Sequence, residues 1–203
     1  MPGKSQQIVA FGLRAKTGRA ILVILGGSIE APEVISRAEL TLWNPRVPET
    51  LQPFHAVMEL PWPKACRAAQ KSVRAIQTVT TGELKQRLTG CARANLKVCG
   101  VGVVGSAKTE LERIGNPHIR AHAAEGQLFR EVLEVGAGEC GLRANGFTEE
   151  QLAMKAQGRL RQTPEALERQ LSAFKKIVGS PWRADEKLAT LAAWVVLAAA
   201  RRR

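Results

Sequence analysis

Hydrophobic runs in the first 43 residues predict three strands joined by short turns. Residues 7–13 and 20–25 are apolar runs separated by a turn around Gly18. Residues 34–43 instead alternate, with apolar side chains at positions 38, 40 and 42 and polar side chains between them. This period of two is typical of a half-buried antiparallel strand. The sequence therefore predicts an antiparallel three-stranded meander.

The rest of the chain reads as helices and two further strands after a proline-rich segment over residues 44–63. Helices are predicted over residues 64–78, between Gly82 and Gly90, and over 118–137, 148–160, 164–178 and 185–200; strands are predicted over 96–104 and 143–147. The order predicts one α/β domain over residues 1–203. Its core would be a mixed five-stranded sheet with helices on both faces and a helical C-terminal third.

Residues 100–105 match the glycine fingerprint of dinucleotide-binding loops letter by letter. The glycines lie inside the predicted strand, however, whereas the fingerprint should follow a strand. Glycines within a strand more often mark a close approach of another backbone. We therefore interpret them as packing positions beneath a helix.

Charge adds a functional signal that the hydrophobic pattern lacks. Lys and Arg number 30 against 18 acidic residues, which gives a formal net charge of +12. Such an excess is typical of proteins with a polyanionic partner, and nucleic acid, DNA before RNA, is the first expectation. No aromatic stacking platform accompanies the basic residues, so single-strand base stacking is not indicated.

Basic residues are concentrated in the segment that begins with the first predicted helix. Residues 64–97 hold eight basic residues and one acidic residue, and four of the basic ones recur at intervals of three, four and three, which places them along one helix face. This basic stripe consists of Lys64, Arg67, Lys71 and Arg74. Two interpretations remain open: contact with a phosphate backbone, and a face that only keeps the protein in solution.

Cellular context is indicated by what the sequence lacks. The four cysteines form no CxxC pair with zinc spacing, and the first seven residues carry no apolar signal segment. We therefore expect a reduced, cytoplasmic protein. The apolar run over residues 188–200 is shorter than the ~17–25 residues that a membrane span needs, so a buried helix is expected and no membrane partner. A homodimer is compatible with the sequence.

Three segments carry a resemblance to a known family. They are GLRAKTG at residues 12–18, AEGQLFR at 124–130 and ADEKLATLA at 184–192. The first is similar to the opening strand and turn of the ribonuclease H-like superfamily, in particular of RuvC-like Holliday-junction resolvases. The second and third resemble that family's central helix and its final acidic helix.

The resemblance implies a carboxylate cluster that this chain only partly has. Nucleases of the family bind two magnesium ions through an Asp on the first strand, an acid after the fourth strand and acids on the last helix. Here the first position falls on Arg14, followed by Lys16, and the second falls near Ser106. Only Asp185, with Glu186 beside it, matches. The resemblance implies a scaffold that acts on nucleic acid, and from the departures we expect catalysis to be lost or altered, with Arg14 and Lys16 among the residues that bind nucleic acid.

Two other functions stay open at this stage. One is a metal-dependent nuclease that uses Mg²⁺ or Mn²⁺ with an unorthodox catalytic set, namely Asp185, Glu186, Glu125 and Glu110. The other is a small-molecule phosphate binder at the turn of Lys16, Thr17 and Gly18. As a structural alternative, Asp185 would simply cap the last helix.

His118, His122 and Glu125 are spaced i, i+4 and i+7, so they share one face of a predicted helix. Two imidazoles and a carboxylate are ligands for zinc or manganese. Three ligands on one helix still need support from outside it, so we expect no tightly bound metal from these three residues. The third histidine, His55, lies in the proline-rich segment and is either a site residue or an exposed loop residue.

Overall fold

The computed structural model describes residues 6–201, and its centre is a five-stranded sheet. The strands are β1 (Gln7–Lys16), β2 (Arg19–Gly27), β3 (Pro32–Thr41), β4 (Leu96–Val104) and β5 (Ala144–Phe147). Their order across the sheet is β3-β2-β1-β4-β5. The first three strands are antiparallel neighbours, while β1, β4 and β5 run parallel. The predicted meander followed by parallel strands is confirmed.

Helices cover both faces of this sheet. They are α1 (Trp62–Arg93), α2 (Pro117–Glu139), α3 (Glu149–Leu160), α4 (Pro164–Ala173), α5 (Lys175–Val178) and α6 (Ala184–Ala200). α1 and α2 pack on one face, and α3, α4 and α6 pack on the other. This arrangement confirms the predicted α/β class with a helical C-terminal third.

Alternate residues of the central strand, β1, pack on opposite faces of the sheet. Phe11 and Leu13 point toward α2, where Phe129 is fully buried, while Ala10 belongs to the cluster around Trp194 of α6. α6 is buried along most of its length, as its apolar sequence predicted. Among the described residues, no helix has the length and apolar character to cross a membrane.

α6 lies close enough to the sheet that two strand positions accept only glycine. A Cβ atom at Gly12 of β1 would overlap the backbone carbonyl of Ala189. A Cβ atom at Gly102 of β4 would lie 2.7 Å from the carbonyl oxygen of Ala192. Close approach of the helix backbone explains Gly102, as the packing interpretation expected, whereas Cβ atoms at Gly100 and Gly105 would meet the side chains of Val196 and Arg130.

Two predicted helix boundaries are wrong. α1 runs unbroken for 32 residues through Gly82 and Gly90, since both glycines face open space and neither forces a turn. The helix predicted over residues 164–178 breaks into α4 and α5 at Phe174, whose buried ring lies edge-on to Trp182 at a centroid separation of 6.1 Å.

The hairpin between β1 and β2 has the predicted short turn. Lys16 pairs with Arg19, which leaves Thr17 and Gly18 as a two-residue turn. Gly18 has a φ of 71°, a conformation in which glycine is favoured.

Residues 1–5 and the last two arginines, 202 and 203, lie outside the described residues. The expectation that the N-terminal segment carries no signal falls mostly on residues 1–5. The assignment of residues 1–203 to one domain stays a prediction.

A basic groove and a histidine cluster as the candidate site

The carboxyl ends of three parallel strands meet at one edge of the sheet. Arg14 of β1 lies opposite Val104 of β4, which lies opposite Phe147 of β5. In open α/β sheets, ligands bind at this edge. The edge holds a groove of about 300 Å³ whose lining includes the following side chains: Arg14, Lys16, Thr17, Ser106, His122 and Glu149.

Arg14 is the central charged group of the groove. Its side chain is only 15% exposed, and its Nη2 lies 2.6 Å from Oε1 of Glu149. Its Nε lies 3.3 Å from Oδ1 of Asp185. Nζ of Lys16 approaches the same Asp185 carboxylate at 3.5 Å. The only aspartate of the chain is therefore held by two cations at the end of the first strand.

Glu149 was not anticipated from the sequence. It is the first residue of α3 and follows β5 after a single residue, Thr148, whose side chain caps the helix by accepting the N–H of Gln151. Because β5 runs parallel to β4 and β1, the start of α3 lies at the same edge as Arg14. The sequence predicted a helix directly after the strand over 143–147, but not which strands lie beside that strand in the sheet.

Glu186 has structural partners of its own. Its Oε1 lies 3.0 Å from Nη1 of Arg37, and its Oε2 accepts the backbone N–H of Arg183 at 2.9 Å. Glu186 therefore caps α6, whereas Asp185 is engaged by Arg14 and Lys16. The capping contact that the sequence suggested for Asp185 is thus made by Glu186.

Glu125 is fully buried and holds the proline-rich segment in place. Its Oε1 accepts the backbone N–H groups of Phe54 and His55 at 3.2 and 3.1 Å. The same oxygen lies 2.9 Å from Nδ1 of His55. Its Oε2 is buried without a hydrogen-bond partner among the described residues.

Glu110 is exposed and lies just before the 3₁₀ helix Leu111–Arg113, where it pairs with Arg113. The structure thus distributes the four predicted catalytic acids over three surroundings: Glu110 at the surface, Glu125 in the interior, and Asp185 and Glu186 at the start of α6. Within residues 6–201 they form no group of three metal-ligating side chains. Their catalytic role stays a prediction, as does the phosphate-binding role of the Lys16 turn.

The histidines, in contrast, do converge. Asn116 caps α2 by accepting the N–H of Ile119, which places His118 in the first turn and His122 one turn later. His55 reaches them from the 3₁₀ helix His55–Val57. We call His55, His118 and His122 the histidine cluster; one potential ligand atom from each lies within 4.8 Å of the others.

The basic stripe is exposed along α1, as its spacing predicted. Its members form no ion pair with any residue in the described range 6–201, whereas Ala65, Ala69 and Ile76 of the same helix are buried. α1 ends directly before β4 begins, so its first turns lie toward the carboxyl edge of the sheet. Trp62 at its start contacts Phe54 at a ring separation of 5.4 Å, beside the histidine cluster.

Comparison with known proteins gives a structural likeness without a sequence match. No protein-family model and no curated protein sequence matches this chain. The structure is similar to that of Thermus thermophilus RuvC, with a TM-score of 0.53 at 12% identity over 96% of each chain. It is also similar to T. thermophilus RuvC in complex with a Holliday junction substrate, with a TM-score of 0.52 at 14% identity over 96% of each chain. The chain therefore has a RuvC-like ribonuclease H-like fold, as the three sequence segments predicted.

Proposed function

We propose that this protein binds nucleic acid, DNA in preference to RNA, on a RuvC-like scaffold whose two-metal catalysis has been lost or altered. The observation that carries the proposal is the pairing of Arg14 with Asp185 and Glu149. A fixed guanidinium neutralises the carboxylates at the edge where this fold would assemble a metal site.

Two-metal hydrolysis needs several oxygen ligands around ions that stabilise both the attacking and the leaving oxygen. A magnesium ion at Asp185 would face the positive charges of Arg14 and Lys16, which lie 3.3 and 3.5 Å from its carboxylate. Like charges at this separation repel, and the cost is larger in a partly buried site than in water. Arg14 and Lys16 can still donate to a phosphate oxygen, although Asp185 and Glu149 balance their charge, so the groove is a polar contact point and a poor site for magnesium.

The basic stripe supplies the unpaired positive charge that the groove lacks. Exposed Lys and Arg side chains without acidic partners are free to replace the counterions of a nucleic acid backbone. One of the similar RuvC structures is a complex with a Holliday junction substrate. That likeness supports branched DNA as the first ligand to test.

The direct experiment measures binding and cleavage of the same substrates. Labelled four-way junction, linear duplex and RNA of equal length are titrated with protein in EDTA and then incubated with Mg²⁺ or Mn²⁺. We expect DNA binding that weakens with salt and no cleavage product under either metal. Metal-dependent cutting by the wild-type protein would contradict the loss of catalysis and favour the nuclease with an unorthodox carboxylate set. Absence of DNA binding at low salt would contradict the proposal as a whole.

Asp185→Asn separates the structural role of this residue from a catalytic one. We expect the variant to lose about 0.5–1 kcal/mol of stability, because a partly exposed ion pair contributes little, and its Tm to fall by roughly 1–4 °C. DNA binding should persist, since the change leaves Arg14 and Lys16 in place. Differential scanning calorimetry and a binding titration measure both effects, with Glu131→Gln on the surface of α2 as the control. An Asp185→Asn variant that loses a metal-dependent cleavage activity of the wild type would show that the acid is catalytic.

A further inference from the structure

All the histidines of this chain meet at one place. The sequence contains three histidines in 203 residues. Their ring centroids are separated by 4.3 Å for His55 and His122, 4.6 Å for His118 and His122, and 5.0 Å for His55 and His118. Two of them share a face of α2, and the third is delivered by a separate segment of the chain. Convergence of every imidazole from two separate segments calls for a chemical explanation.

Glu125 fixes the orientation of His55 in that cluster. Its Oε1 lies 2.9 Å from Nδ1, so a neutral His55 that donates from Nδ1 keeps the lone pair on Nε2. Nε2 is buried and has no hydrogen-bond partner among the described residues. A carboxylate behind one imidazole nitrogen, with the other nitrogen left free, is the arrangement that supports a metal-bound histidine.

We propose that His55, His118 and His122 bind one zinc-class divalent ion, with Glu125 as the positioning residue behind His55. Three imidazoles and an open fourth position, filled by water, form an established zinc donor set. Zinc–nitrogen bonds of ~2.0–2.1 Å separate tetrahedral ligands by roughly 3.3 Å. In the structure the three ligand nitrogens lie within 4.8 Å of one another. Small rotations of the exposed rings of His118 and His122 would bring these nitrogens to the tetrahedral separation.

The charges around the cluster fit this ion better than they fit magnesium. Neutral imidazoles suit zinc, copper or nickel, whereas magnesium prefers oxygen ligands. The ion would also supply positive charge to the interior beside the buried carboxylate of Glu125, which has no lysine or arginine partner in the described part of the chain. The outside support that His118 and His122 lack on their own helix is thus provided by His55, which Glu125 of that helix orients.

A cobalt titration tests the site without any nucleic acid, so its outcome is independent of the proposed DNA binding. Protein stripped with EDTA and exchanged into chelator-free buffer is titrated with Co²⁺ and then with Zn²⁺. We expect visible absorption of tetrahedral Co²⁺ that saturates at one equivalent and disappears as Zn²⁺ displaces it. Both His118→Ala and His122→Ala should lose this absorption, and because both side chains are exposed the variants should fold.

Glu125→Gln tests the positioning role, and Glu131→Gln is its matched control on the exposed face of the same helix. Loss of a supporting carboxylate should weaken zinc affinity by about 10–100-fold. The control should bind like the wild type, and circular dichroism confirms folding of each variant. The proposal is overturned if the wild type shows no tetrahedral Co²⁺ band, or if His122→Ala still binds one equivalent of Zn²⁺. Unchanged zinc affinity in a folded Glu125→Gln variant would remove Glu125 from the site.

Discussion

Replacing the four residues of the basic stripe with alanine is expected to weaken duplex or junction DNA binding by roughly 10²–10³-fold near physiological salt. The combined variant carries Lys64→Ala, Arg67→Ala, Lys71→Ala and Arg74→Ala. All four side chains are exposed, so the substitutions remove charge without opening the core of α1. The fold should therefore be retained, and far-ultraviolet circular dichroism with Tm verifies this.

The salt dependence gives the sharper measurement. Each phosphate contact on duplex DNA contributes roughly 0.9 to the slope of log K against log salt concentration. If all four side chains contact phosphates, the slope should flatten by up to about 3.6. Fluorescence anisotropy with one labelled junction at several salt concentrations yields affinity and slope together.

A matched control separates a specific surface from total charge. Alanine at four exposed basic residues of α3–α5 removes the same number of charges from the other face of the sheet: Lys155, Arg169, Lys175 and Lys176. The control should retain most of the wild-type slope. Equal losses in the two variants would show that net charge alone drives binding. An unchanged slope in the stripe variant would show that the stripe only keeps the protein in solution.

The fold could be predicted largely because its strands carry strong local patterns. β3 shows the alternation of a half-buried strand, and residues 98–104 of β4 are a continuous apolar run that is buried from Gly100 onward. The continuity of α1 could not be predicted, because Gly82 and Gly90 signal interruption locally while tertiary packing on Ile76 and Leu84 keeps the helix intact. Packing overrides the intrinsic preference of a glycine when the helix buries enough of its other face.

The candidate site was less predictable because its partners are distant in the sequence. The spacing of His118 and His122 showed that they share a helix face, but nothing local indicates that His55 joins them. Glu125 was grouped with those histidines as a ligand, since spacing defines the helix face and not the depth of a side chain. In the structure it is fully buried and acts on His55. The arginine at position 14 of the first strand was visible in the sequence; its ion pairs with Glu149 and Asp185 were not.

Arg14→Asp tests directly whether the arginine takes the place of a cation. The change removes the guanidinium between Asp185 and Glu149 and adds a third carboxylate at the same edge. Without divalent ions we expect a loss of about 1–3 kcal/mol, because a partly buried acid loses its partner and gains a like charge. That loss corresponds to a fall in Tm of roughly 2–12 °C for a chain of this length.

Millimolar Mg²⁺ should restore part of this stability, because grouped carboxylate oxygens are the ligands that magnesium prefers and binding to the folded state raises Tm. Arg14→Gln is the matched control: it removes the cation without adding an acid, so its Tm should fall less and should not respond to Mg²⁺. Calorimetric scans with and without Mg²⁺ compare the two variants. If the Tm of the Arg14→Asp variant does not change with Mg²⁺, this edge does not bind a metal ion even when an acid stands on the first strand. Lys16 would be the remaining obstacle, since its Nζ lies 3.5 Å from the carboxylate of Asp185. The single ammonium group of Lys16 would then be enough to keep a divalent ion from the grouped carboxylates.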